Sequence, residues 1–289
     1  MSQILKLGIP KGSLEAATLD LFAQAGWNIN TRSRNYFPSI DDPEISCALV
    51  RSQEMGPYVA NATLDVGLTG QDWIQETGAD VEVVSELVYS KSSDQPCRWV
   101  LIVKNDSDIQ SVEDLEGKTV STELMEFTKR YLVERNITAD VQFSWGATEA
   151  KVVEGLADAA VEITETGSTI RAHGLRIVCD LLHTHTVLVA NRQALLDPWK
   201  SQKIENISLL LNSALVAREK VLLKMNVASK DIDNVAKFLP SLHAPTINKL
   251  YDEGWLAVET VVGKNDVREL IPQLKRAGAE GILEFELRK

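Results

Sequence analysis

No apolar run in the sequence approaches the roughly 20 residues that a bilayer span requires, which argues against membrane insertion. The segment MSQILKLGIPKGS has no basic stretch followed by an apolar core and a cleavage site, so secretion is not expected and a cytoplasmic location is. There are only three cysteines, Cys47, Cys97 and Cys179, far apart and without CxxC or Cys/His spacing. That count excludes a disulfide framework and a structural zinc site, and the residues read as reduced thiols. Basic residues are outnumbered, 30 Lys and Arg against 41 Asp and Glu, for a net charge of -11. Such a balance argues against general nucleic-acid binding, which depends on clustered cations meeting phosphates. Small anionic substrates remain compatible, because a few local cations and backbone N–H groups suffice when salt screens a distant acidic surface beyond roughly 8 Å. Low-complexity segments and repeats are also missing, which removes a solenoid from consideration.

What is present is an ordinary globular composition over 289 residues, 44% hydrophobic and 25% charged, enough for two or three domains. Strands predicted at Leu5 to Ile9, Ser46 to Val50 and Leu64 to Leu68 alternate with helices at Leu14 to Ala25, Met55 to Asn61 and Asp72 to Thr77. This order predicts a mainly parallel sheet flanked by helices. A second run opens at WVLIV (99–103) and continues through strands at Lys118 to Val120, Val141 to Ser144 and AAVEIT (159–164), with helices through Phe127 to Glu134 and Glu149 to Leu156. The polar stretch SKSSDQP (90–96) separates the runs as a hinge. LRIVCDLL and TVLVA are expected to return the chain to the first lobe before an amphipathic segment at Ile204 to Lys220. From Val221 the pattern reads β-α-β-β-α-β, the order of a ferredoxin-like domain. The expected organisation is lobe I at 1–92 and 182–220, lobe II at 93–181 and a third domain at 221–289, with a ligand cleft between the lobes.

The stretch DAAVEITETGSTIRAHG (158–174) ends an apolar strand in acidic and hydroxyl residues before a glycine turn and a helix. Gly167 lets backbone approach an anion, Thr166, Ser168 and Thr169 add hydroxyl donors, and a helix start favours negative charge. A terminal phosphate suits that turn, and Glu162 on the same strand suits ribose hydroxyls. TGST is equally a turn that merely caps a helix, and Glu165 must point away or pair with a cation to avoid repelling the phosphate. In GIPKGSLE, Lys11, Gly12 and Ser13 sit at a strand's carboxyl end, where Lys11 can reach a pyrophosphate or remain a solvated loop lysine. Arg51 ends another strand and can fork onto phosphate oxygens or pair with a carboxylate. In DVGLTGQDW, Asp65 reads as packing, whereas Asp72 reads as a site residue or a plain helix-start acid. His183 and His185 in LLHTHTV lack a third ligand and read as structural. Without the resemblance described next, a small-molecule sensor or solute-binding module using the same cleft competes with an enzyme.

PKGSL, LVRSQEMGPYV, DVGLTGQDW, WGATEAKVVEGLADA, EITETGST, APTI and GAEGILEFEL resemble segments of the long, self-contained ATP phosphoribosyltransferases, and the likeness covers essentially the whole chain. The resemblance implies two lobes like those of type II periplasmic solute-binding proteins plus a ferredoxin-like C-terminal domain. It implies an enzyme that condenses ATP with 5-phosphoribosyl 1-pyrophosphate at the entry to histidine biosynthesis, with Mg²⁺ bound mainly through pyrophosphate. Under it, Thr166, Gly167, Ser168 and Thr169 hold the 5-phosphate and Glu162 the ribose hydroxyls. Lys11, Gly12, Arg51, Asp72 and Glu149 then line the ATP and pyrophosphate region, with Lys11, Arg51 and Glu162 assigned to catalysis. Many relatives have Asp where this chain has Glu162. A histidine inhibitor would be held by Asn226, Leu242, Thr246 and Gly281. Asn226 departs from a common Asp and offers an acceptor without charge, which weakens the expected inhibition. The same resemblance implies homo-oligomers, dimers assembling into hexamers.

Overall fold

The central strands are apolar along nearly their whole length, as expected where both faces of a sheet are covered by helices. The computed structural model describes residues 3–31, 36–90, 95–239 and 244–289. The chain opens with β1 (Leu5–Lys11), α1 (Glu15–Ala25), a short β2 (Ile29–Asn30) and β3 (Ser39–Ile40) pair, β4 (Ile45–Arg51), α2 (Ser52–Ala60), β5 (Val66–Gly70), α3 (Gln71–Thr77) and β6 (Glu82–Leu87). It continues with β7 (Cys97–Lys104), β8 (Thr119–Thr122), α4 (Met125–Val133), β9 (Asp140–Phe143), α5 (Thr148–Val153), β10 (Ala159–Thr164), α6 (Ser168–Ala172) and β11 (Leu175–Thr184). Then follow β12 (Thr186–Ala190), α7 (Arg192–Leu196) and α8 (Pro198–Arg218). The tail contains β13 (Lys220–Ala228), α9 (Ile232–Ala236), β14 (Thr246–Lys249), β15 (Trp255–Gly263), α10 (Val267–Arg276) and β16 (Ala279–Glu286).

The first lobe is a five-stranded sheet in the order β4-β1-β5-β12-β6, in which β4, β1 and β5 run parallel and β12 runs against both of its neighbours. The second is ordered β11-β7-β10-β8-β9, with β10, β8 and β9 parallel and β7 antiparallel to β10. Two separate five-stranded sheets give the two-lobed α/β plan expected from the sequence. LRIVCDLL does not itself return the chain to the first lobe, and all but its last residue falls within the 93–181 expected for the second. It remains in the second lobe as β11, pairing antiparallel with β7 through two register shifts, and only TVLVA crosses back as β12. Its long pairing with the apolar β7 outweighs an early return. The hinge stretch SKSSDQP lies partly outside the described residues, since 91–94 are not among them. Between β7 and β8, SVEDLEG (111–117) supplies one 3₁₀ turn at Val112–Leu115, closed by Ser111 and Asp114.

Helix α2 lies close on the first sheet because two glycines leave room for it. A Cβ at Gly8 or Gly67 would stand 2.4 or 2.5 Å from Met55 Sδ, closer than real atoms approach. That seating holds the first turn of α2, with Gln53, beside the carboxyl end of β4. The lobe's buried cluster, Val50, Met55, Val59, Leu64, Val187 and Val189, lies beneath it. The second lobe's main cluster is built on Trp99, Leu101, Val103, Val120, Leu132 and Val161.

The two lobes belong to one compact unit, Met1–Ala23 with Trp27–Ser208, and a second unit comprises Gln24–Gly26 and Leu209–Lys289. In the second unit the four-stranded antiparallel sheet runs β14-β15-β13-β16. With helices after the first and third of its strands, it is a ferredoxin-like fold. Val267, Leu270 and Leu274 recur along one side of α10 and pack on Val221, Leu223, Met225 and Val227.

Candidate active site

The carboxyl ends of β1, β4 and β5 open onto a cavity of about 390 Å³ whose other wall is the second lobe. Such strand ends are where open α/β sheets bind ligands. From the first lobe it is lined by Lys11, Gly12, Arg51, Gln53, Asp72 and Trp73, and from the second by Cys97, Trp99, Glu123, Thr164, Glu165 and Thr184. Lys11, Gly12, Arg51 and Asp72 are therefore brought together as expected. β1 and β4 pair in register, with Lys11 opposite Arg51, so two cations stand side by side at one sheet edge. The Lys11 ammonium lies 3.9 Å from the centroid of the Tyr36 ring, a cation–π contact that orients it.

Asp72 is 2% exposed, and both its oxygens accept hydrogen bonds: Oδ1 from Trp73 N at 3.0 Å and Oδ2 from Trp99 Nε1 at 2.7 Å. Its own N–H donates to Thr184 Oγ1 at 3.1 Å. Burial raises its carboxyl above the usual range, and these hydrogen bonds oppose the shift. Asp72 thus lines the cavity and also ties the lobes together. Asp65 is structural: it accepts from Lys6 N at 2.9 Å and pairs with Lys200 at 2.7 Å.

On the second lobe, Glu162 lies near the end of β10 beside the first turn of α5. Its carboxyl is pushed up to about 7, chiefly by burial and next by the charge of Glu149; a hydrogen bond from Thr148 opposes the shift and Glu123 adds to it. Glu123 is raised as well, mainly by burial, while it accepts hydrogen bonds from Gly146 N and the Gln53 side chain. The Gln53 contact crosses the cleft. Sequence reasoning missed Glu123, Thr148 and Trp99. Nothing in STELMEF distinguishes Glu123 from a surface acid, because its role depends on Gln53, seventy residues earlier.

The glycine turn forms as expected. Gly167 has φ 72°, its N–H donates to Thr164 Oγ1 at 2.8 Å, and α6 starts at Ser168. Thr166, Ser168 and Thr169 are exposed, and the Thr166 and Ser168 hydroxyls lie 3.1 Å apart. These residues stand just beyond the cavity wall that Thr164 and Glu165 complete, so Glu165 faces the cleft. His183 pairs with Asp180 at 3.5 Å, and His185 Nε2 lies 3.6 Å from Glu86.

In the second unit, Asn226 and Thr246 share the open face of the sheet, since Thr246 pairs with Glu259, Glu259 with Lys224, and Lys224 lies two residues from Asn226. Gly281 sits at a register shift with φ 57°, its β position 3.8 Å from Asn226 Nδ2. Leu242 lies outside the described residues.

Comparison with known proteins adds the following. Residues 51–213 match the family model described as ATP phosphoribosyltransferase, and residues 217–289 match the one described as HisG, C-terminal domain. The chain is 58% identical over 289 residues to the ATP phosphoribosyltransferase of Desulfosudis oleivorans, and 57% identical to that of Geotalea daltonii, covering 100% of this chain and 99% of each relative. Among solved structures, an ATP phosphoribosyl transferase (HisG:HisZ) complex from Thermotoga maritima shares the fold with TM-score 0.63 at 23% identity, over 74% of this chain and 99% of that one.

Proposed function

The chain belongs to the ATP phosphoribosyltransferase family, and from that premise we propose that it joins ATP to 5-phosphoribosyl 1-pyrophosphate as the first step of histidine biosynthesis. The observation that carries this reading is the cleft itself, with Lys11 and Arg51 on one wall and the end of β10 on the other. Adenine N1 attacks the anomeric carbon, the bond from that carbon to the pyrophosphate oxygen breaks, and its electron pair leaves with pyrophosphate. The product is N1-(5-phosphoribosyl)-ATP. Because the transition state resembles an oxocarbenium ion, no protein nucleophile is required, and the site's tasks are positioning and charge stabilisation.

In this reading Lys11 and Arg51 hold the leaving pyrophosphate and the triphosphate, with Gly12 allowing close approach. Glu162 accepts from the ribose hydroxyls, and Thr166, Gly167, Ser168 and Thr169 receive the 5-phosphate. Among the described residues no three His, Cys, Asp or Glu side chains form a metal cage. Mg²⁺ usually keeps few protein ligands and would bind here mainly through the substrate phosphates. The charges of Glu149 and Glu123, which help to raise Glu162, are of the kind that a nearby divalent cation relieves. When bound, Mg²⁺ would neutralise charge on the departing pyrophosphate. The test is pyrophosphate release from the purified protein; it should require ATP, phosphoribosyl pyrophosphate and Mg²⁺ together. Release with either substrate alone, or none with both, would overturn the assignment.

Free histidine is proposed as a feedback inhibitor bound at the C-terminal sheet through Asn226, Leu242, Thr246 and Gly281. Remote inhibition requires that histidine prefer one arrangement of domains or subunits over another. A cytoplasmic homo-oligomer, from dimer to hexamer, is part of the same proposal, and exposed Leu283 and Phe285 on β16 give apolar surface that a contact between copies could cover. Thr246→Val should weaken inhibition while native mass and turnover stay unchanged, and undiminished inhibition would move the inhibitor elsewhere.

A further inference from the structure

Helix α3 follows a strand of the first sheet, yet consecutive residues on it belong to different lobes. Trp73 packs on the second lobe's core, edge-on to Trp99 at 6.1 Å and 90°. Ile74, the next residue, packs on the first lobe's Met55 and Val59 cluster. The helix is therefore a wedge between two cores.

Its ends are pinned to the second lobe by polar groups. At the start, Asp72 accepts from Trp99 Nε1 and donates its N–H to Thr184. At the end, Glu76 Oε1 accepts from Glu126 N at 2.9 Å and Oε2 from Phe127 N at 2.8 Å, and Arg130 donates to the Gln75 carbonyl. Those two N–H groups belong to the first turn of α4, where intrahelical partners are missing. The residue at α4's own capping position is Leu124, fully buried and without a side-chain acceptor. Glu76 thus caps a helix of the other lobe, with its negative charge at the positive end of that helix.

We propose that Glu76 is a positioning residue for the reaction. By capping α4 it holds α3 against the second lobe and so fixes the cleft wall formed by Asp72, Trp73 and Trp99. Glu76 is not among the cavity's lining residues, so its influence on turnover must pass through α3. The kinetic half of this inference rests on the proposed reaction; the structural half does not.

The experiment compares full-length Glu76→Ala and Glu76→Gln with the unaltered chain. It reads pyrophosphate release with varied ATP and phosphoribosyl pyrophosphate, and the near-ultraviolet circular dichroism of the Trp73–Trp99 pair. Glu76→Ala should lower kcat roughly tenfold, because small misplacements of a reacting centre act on the transition state. KM should change less, and the aromatic signal should change without ligand. Glu76→Gln keeps one strong acceptor and should show the same changes at reduced size. A folded Glu76→Ala with unaltered kcat and aromatic spectrum overturns the proposal. If that variant fails to fold, an unaltered kcat and spectrum in Glu76→Gln does so instead. If the unaltered chain releases no pyrophosphate, the proposed reaction fails on its own, and the aromatic spectrum alone decides for or against the strut.

Discussion

The two walls of the cleft carry opposite charge. The first lobe presents Lys11 and Arg51 from adjacent parallel strands, whereas the second lines the cleft with Glu123 and Glu165, and Glu162 and Glu149 lie near Glu123 beyond that lining. A pure phosphate site would not need the acidic wall, and a pure sugar site would not need the cations. A substrate with both, a ribose bearing pyrophosphate, suits the division, because cations stabilise the leaving group while carboxylates orient hydroxyls. The acidic wall is also the strained one. Glu162 is raised by burial and next by the charges of Glu149 and Glu123, and Glu123 mainly by burial.

Removing Glu162, the carboxylate that has Glu149 and Glu123 as neighbours, should have the largest effect. Glu162→Ala is expected to lower kcat about 100-fold, the scale seen when a reacting atom is misplaced. ATP affinity measured by calorimetry should change little. Equal losses in turnover and ATP binding would erase the distinction between the walls.

The cationic wall is tested next. Arg51→Ala should weaken substrate affinity by about 2.5 kcal/mol, within the range for a charge-assisted hydrogen bond. Arg51→Lys should recover only part of this, since a point charge lacks the guanidinium fork. Full recovery in steady-state kinetics would reduce the wall to simple charge.

Thr169→Val addresses the turn at the edge of the acidic wall. It nearly preserves shape and removes one hydroxyl, so the KM for phosphoribosyl pyrophosphate should rise by an amount equivalent to about 2 kcal/mol, with kcat largely kept. An unchanged KM in the folded protein would detach the turn from the phosphate.

The smallest effect concerns stability and sharpens the claim of strain. Glu162 has a folded-state pKa of about 7 against an ordinary 4.5. Between those values the folded state binds more protons than the unfolded state, so stability falls as pH rises through that window. Glu162→Gln removes the loss. Its urea midpoint should therefore match the unaltered chain near pH 4 and exceed it at pH 8, by stability on the order of 1–2 kcal/mol. A variant less stable at pH 8 would show that ionised Glu162 is held favourably.

The sequence alone determined most of the elements and both sheets' central strands, because apolar runs such as WVLIV and TVLVA and turns such as TETGST are local signals. It placed Lys11 and Arg51 each at the end of a strand, while their standing opposite one another came from the pairing of β1 with β4. It singled out Glu162 as a candidate by its place at a strand end before a glycine turn. What it left undecided depends on distance along the chain. Whether LRIVCDLL crossed to the first lobe was a competition between pairing partners, won by β7. Asp72 read as a helix-start acid or a site residue, and only Trp99 and Thr184, brought close by the second lobe, reveal it as a buried tie. Glu123 met Gln53, and Glu76 met the start of α4, solely through the packing of one lobe on the other. Hydrophobic periodicity is written within a few residues of each position, whereas burial, raised carboxylates and trans-capping arise only when remote segments exclude water from the same place.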